Sequence, residues 1–263
     1  MPGTRESLVE LTVRVVLDGE PVTFEAALPA AATRPRRLLP LLREMEEEIV
    51  DRASRASADR GEPVSCRAGC GACCRQIVPI SKTEAHVVRE LVEAMPEERR
   101  ATIRARFEQV TKKLEEAGFG DLARGELPRD VRDRKGDAPT ELGLAYMKLG
   151  IACPFLEDGS CSIHLDRPLA CREYSVTSPP ELCTDPSDPA IRPLHLQGSV
   201  ADALLSLERR DGDGVGWVPL SIALSWSERH PDVGRARPGP ELVKEIVAAL
   251  GPDAGKRRRK AAR

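Results

Sequence analysis

Eight cysteines fall between Cys66 and Cys183 of a 263-residue chain, with none in the 65 residues before them or the 80 after. They form two groups. The first is Cys66-x3-Cys70-x2-Cys73-Cys74. The second is Cys153, Cys161 and Cys171, with Cys183 trailing. Random placement does not give such spacing. In a reducing compartment, clustered thiols are metal ligands or redox groups rather than disulfides. Short spacings let one turn of backbone aim two sulfurs at one point, and Gly69 and Gly71 beside Cys70 let the chain wrap tightly. The thiolate is the ligand form, and a sulfur-rich site selects zinc, iron–sulfur clusters or copper(I) over hard cations. All eight cysteines are therefore candidate ligands.

Neighbouring side chains tend to diverge, so Cys73 and Cys74 on one mononuclear ion would be awkward. Two arrangements are natural: two four-sulfur sites that divide the thiolates, or one polynuclear cluster with spare cysteines. Either carries net negative charge. Arg67, Arg75, Arg167 and Arg172 lie within four residues of a cysteine. They are candidates to offset that charge and to donate hydrogen bonds to sulfur. His164 is a further candidate ligand, against the alternative of a histidine packed beside the site. Pro168 fixes the turn between Cys161 and Cys171, and Tyr174 is expected in the core. A Cys-His nucleophilic site with Cys74 left uncoordinated is the catalytic alternative. The sequence contains no recognisable Ser-His-Asp set, isolated carboxylate pair or glycine-rich nucleotide loop.

The remaining chain reads as ordinary globular sequence. Leu11, Val13, Val15 and Leu17, then Val22, Phe24, Ala26 and Leu28, alternate around Asp18-Gly19 and predict a β-hairpin. A helix is predicted over 35–58, with Leu38, Leu39, Leu41, Leu42, Met45 and Ile49 as its stripe. Ser81-Lys82-Thr83-Glu84 fits a capping box. It opens a helical hairpin over 81–117, whose second arm carries Ile103, Phe107, Val110 and Leu114. Residues 120–140 read as a long surface loop, 141–149 as a short helix and 178–193 as coil. Two C-terminal helices are expected, over 220–228 and 240–250. The ending KRRRKAAR reads as a solvated basic tail.

Lys and Arg, 40, nearly balance Asp and Glu, 42, and aromatics are 3%, which argues against a nucleic-acid partner. The longest uncharged apolar stretch, Val215 to Trp226, is too short to cross a bilayer. The N-terminus shows no signal-peptide core. The expected location is cytoplasmic, with no membrane association.

The stretch from Cys66 to Cys74, followed by CPFLEDGSCSIHLDRPLACREY from Cys153 to Tyr174, resembles the YkgJ-type cysteine-cluster family, the zinc- or iron-chelating CxxCxxCC domain. The resemblance covers about residues 62–184. One departure is the x3 spacing between Cys66 and Cys70, where the family name implies x2. The resemblance implies metal chelation by these cysteines and leaves the reaction open. Relatives of the domain are labelled as iron–sulfur oxidoreductases and also occur in flagellin lysine methylases.

The expected fold is mainly α with a small N-terminal β-hairpin and an irregular, loop-rich metal core. Its expected parts are 1–61, hairpin plus helix; 62–184, cysteine domain with the inserted helical hairpin; 185–250, helical extension; and 251–263, basic tail. The expected cofactor is an iron–sulfur cluster or zinc. Three roles follow: redox or electron transfer with a redox partner, a zinc-held structural or interaction protein, and a methyltransferase-like enzyme.

Overall fold

A computed structural model gives the fold over residues 7–132, 136–210, 216–230 and 235–250. The expected basic tail lies outside these residues. The strands are β1 (Leu8–Leu17), β2 (Glu20–Pro29), β3 (Ala32–Thr33), β4 (Pro79–Ile80), β5 (Leu156–Glu157), β6 (Ser160–Cys161), β7 (Val218–Pro219) and β8 (Arg237–Pro238). The helices are α1 (Leu39–Asp59), α2 (Lys82–Glu93), α3 (Glu97–Glu116), α4 (Gly120–Ala123), α5 (Arg129–Arg132), α6 (Ala138–Lys148), α7 (Leu169–Glu173), α8 (Val200–Arg210), α9 (Ala223–Arg229) and α10 (Gly239–Leu250). The fold is mainly helical with a small N-terminal hairpin, as the sequence predicts. Among the described residues no helix is long and apolar enough to cross a membrane.

β1 and β2 pair antiparallel, with Val13 opposite Phe24. Asp18 and Gly19 both take positive φ, 54° and 82°, which matches the twist of a two-residue hairpin turn. A lone ribbon needs a cover for its apolar face. Val13, Val15, Leu17, Phe24 and Leu28 bury that face against Leu42, Met45 and Ile49 of α1, Leu204 and Leu207 of α8, and Leu242 and Ile246 of α10. A second core joins Val88 and Val92 of α2, Ile103, Phe107, Val110 and Leu114 of α3, Tyr146 of α6, and Leu220 to Trp226. Cys153, Cys161 and Cys171 lie against this second core.

Two expectations need correction. The stretch 120–140 is not a plain surface loop, because it contains α4 and α5 and buries Leu122, Ala123 and Val131. Gly118 ends α3 at φ +82 and the chain re-enters helix at once, so apolar side chains return to the core. Helix α8 lies within the expected helical extension, 185–250, but outside the two helices predicted there, 220–228 and 240–250. The Ser199 hydroxyl caps it by accepting from the Asp202 N–H, 3.0 Å, and Val200, Ala203, Leu204 and Leu207 form its buried stripe.

Gly125 shows why one position must lack a side chain. At φ +78 it lies against the Trp226 indole, where a Cβ would stand 2.3 Å from Cδ1. Gly125→Ala is expected to lower stability by about 1–3 kcal/mol and to shift tryptophan emission. A fluorescence-detected thermal melt checks both, and an unchanged Tm counts against this packing.

Candidate metal centre

The second core delivers both cysteine groups to one loop region. The chain enters the first group strapped to the end of the second, with the Ser65 N–H donating to Val176 O at 2.9 Å. The Ser65 hydroxyl also donates to Ser178 O. Cys66 is exposed, and its Sγ accepts from the Val176 N–H at 3.4 Å. The Cys153 N–H donates to Cys74 O at 2.7 Å and joins the two groups directly. Gln76 Nε2 donates to Cys183 O at 3.2 Å.

Glycines make this approach possible, for two different reasons. Gly69 turns the chain at φ +85, whereas Gly71 supplies space: a Cβ there would stand 2.6 Å from Leu156 Cδ1 and 3.0 Å from Gly159 O. Gly159 does both, with φ +77 and a Cβ position 2.9 Å from Gly69 O. The first loop therefore rests on the β5–β6 hairpin. Helix α3 clamps that hairpin from the other side. Arg99 donates to both Glu157 oxygens, 2.5 and 2.8 Å, and Arg106 donates to Glu157 at 2.5 Å and to Pro154 O at 3.2 Å.

All eight cysteines are free thiols. Burial pushes the Cys153 thiol up to about 12, with Cys161 and Cys73 adding to the effect. Burial also holds Cys171 well above the ordinary thiol range, helped by Cys153, Cys73 and Cys161. Cys161 is raised by burial and by Cys73, with Arg167 opposing. Cys73, Cys153, Cys161 and Cys171 thus form an inner group. Cys183 is raised by burial and then by the charges of Cys66, Cys73 and Cys70, which make an outer group with it. Cys73 belongs to both. Cys73 lies in a 3-10 turn over Cys73–Arg75, and its thiol is raised by the neighbouring Cys74 first and by burial next.

The basic residues divide. The positive charge of Arg167 reaches Cys73 and Cys161. Arg67 instead pairs with exposed Glu181 at 3.0 Å, and Arg75 donates to Gly71 O at 3.4 Å. Arg172 staples the turn before it, donating to Arg167 O at 2.9 Å and to Leu165 O. His164 is exposed on that turn, and Arg167 lowers its pKa. Tyr174 is not in the core; it is half-buried, with its hydroxyl pKa raised by burial.

Sequence reasoning missed the carboxylates that hold this region. Glu84, read only as part of a capping box, also accepts from the Leu169 N–H at 2.7 Å, at the start of the helix that carries Cys171. Glu157 gave no signal beyond a charged turn residue. Glu46 of α1 is 1% exposed, and among the described residues neither oxygen has a hydrogen-bond partner. Arg172 Nε stands 3.8 Å from it. Burial first, then Glu173, push Glu46 up to about 9.

The donor chemistry fits a soft metal: sulfur only, free of disulfides, and held protonated in the inner group by burial and by the neighbouring thiols. Among the described residues no group of three or more His, Cys, Asp or Glu is arranged to hold a metal ion. Chelation must therefore displace thiol protons and draw the sulfurs together. Residues 65–187 match the family model CxxCxxCC, described as "Putative zinc- or iron-chelating domain". The resemblance drawn from the cysteine motifs holds over this segment. No curated protein and no solved structure matches the chain.

Two outcomes follow from this geometry. Gly159→Ala should pry the first loop from the β5–β6 hairpin, lowering stability by about 1–3 kcal/mol and weakening metal uptake; a chelator competition that gives the wild-type affinity would contradict the close approach. Glu46→Gln should stabilise the chain. The folded pKa of Glu46 lies above its ordinary 4.5, so the unfolded state loses this proton first. Stability is then lost as pH rises from about 4.5 toward about 9. In urea melts the gain of the variant over wild type should grow between about pH 5 and pH 8; a gain independent of pH would mean that Glu46 is not held as the neutral acid.

Proposed function

We propose that the cysteine domain holds an iron–sulfur cluster in a redox or electron-transfer role, with Cys73, Cys153, Cys161 and Cys171 as its inner ligands. The observation that carries this reading is the inner sulfur group itself: four thiols from separate segments, all buried or half-buried, each held above the ordinary thiol range. Such a cluster, when bound, supplies one-electron chemistry whose potential depends on burial and on hydrogen bonds to sulfur. Several residues serve that environment. Phe155, Ile163 and Leu169 are buried beside the second group and exclude water. Arg167 offers positive charge to Cys73 and Cys161.

A second reading has its own support. The charges of Cys66 and Cys70 reach Cys183, and with Cys74 these are the four thiols left beside the inner group. Two closed zinc sites require that division. In that case the metal would hold the loops and the chain would act through a protein partner.

The deciding experiment is metal and acid-labile sulfide content on protein purified without oxygen, followed by thermal melts before and after chelation. About four iron and four sulfide per chain are expected, with a lower Tm after chelation because the loops bury little apolar surface of their own. Zinc without sulfide would overturn the redox reading and support the structural one. No metal, with a Tm that chelator leaves unchanged, would overturn both.

A further inference from the structure

Buried carboxylates tie three helices into a closed circuit. Glu84 of α2 accepts from the Leu169 N–H at the start of α7, 2.7 Å. Glu173, the last residue of α7, accepts from the Ala201 N–H at 2.9 Å and the Ser199 hydroxyl at 2.5 Å, at the start of α8. Glu208, near the end of α8, accepts from the Lys82 and Thr83 N–H groups at 2.7 and 3.0 Å, at the start of α2. The three are 5%, 7% and 1% exposed.

Cys171 is the third residue of the five-residue α7. Its own N–H donates to Pro168 O at 3.0 Å. The Glu84 bond fixes the peptide two residues earlier, and with it the direction in which the Cys171 side chain leaves the helix. Glu84 is itself held by Ser81, whose N–H and hydroxyl donate to Oε2 at 3.0 and 2.9 Å. The carboxylate is thus a rigid post between α2 and the metal core.

We propose that Glu84 is a positioning residue for Cys171, holding its sulfur at the inner group and so setting the affinity of that site for metal. This rests on the metal-binding reading above. The charge of Glu84 by itself works the other way, since it stands close enough to oppose a Cys171 thiolate. The sign of the effect therefore separates positioning from bare electrostatics. Charge removal alone would tighten metal binding, and loss of positioning weakens it.

The test compares wild type, Glu84→Gln and Glu208→Gln in competition for Zn²⁺ with a chromophoric chelator, with thermal melts of each. Both variants remove a buried carboxylate that caps α2, so comparable losses of Tm are expected. Zn²⁺ affinity should fall about tenfold or more in Glu84→Gln and stay within about threefold in Glu208→Gln. Glu84→Gln binding Zn²⁺ as tightly as wild type or tighter, or both variants losing affinity equally, overturns the proposal while leaving the metal reading in place. Wild type that takes up no Zn²⁺ overturns both. Should Glu84→Gln fail to fold, hydrogen exchange on the wild type decides. The Leu169 amide should slow on Zn²⁺ loading while the Lys82 and Thr83 amides do not. A Leu169 amide indifferent to Zn²⁺ overturns the proposal.

Discussion

The circuit of Glu84, Glu173 and Glu208 is the constraint that relates the metal core to everything else. Each carboxylate accepts from first-turn amides of another helix, and such amides have no partner within their own helix. Hydrogen bonds to a charged acceptor contribute about 1.5–3 kcal/mol each, and removing one member leaves a buried group unsatisfied. Burial works against the charge: it pushes Glu208 up to about 7 and raises Glu84 as well. The amides offset that cost only while the helices stay in register. The arrangement is therefore specific as well as stabilising. A shift of α2 along its axis would break bonds at both ends of the circuit.

The sulfur groups obey the same logic with the opposite need. Cys153, Cys161 and Cys171 are pressed against apolar side chains, so each thiolate is costly, and Cys73 raises all three. Arg167 reaches the group but cannot balance several thiolates. A bound cation can, which is why burial and chelation are compatible here. Two acidic systems, carboxylates and thiols, meet across α7. The carboxylates are satisfied by backbone amides, and the thiols are left to a metal.

Much of this was legible from local patterns. The alternation around Asp18-Gly19, the stripe from Leu38 to Ile49 and the Ser81-to-Glu84 capping box all describe contacts within a few residues. The cysteine spacing was legible for the same reason. What was not legible is pairing between distant segments. Nothing near Glu84 announces Leu169, and nothing in the EDG turn announces that Glu157 is held by Arg99 and Arg106. Helix α8 escaped because its signal is an isolated short stripe after proline-rich coil.

Helix α7 concentrates these relations in five residues. So short a helix cannot hold itself, because nucleation alone costs more than its few hydrogen bonds return. Leu169 anchors it in the first core, Cys171 lies against the second, and Glu173 reaches α8. Its conformation is thus set by what its side chains and first amide touch. A metal held through Cys171 would add one more external bond to an element that has few. Binding energy at that residue becomes folding energy for the junction between the two cores, and the stability of the junction returns as affinity for the metal.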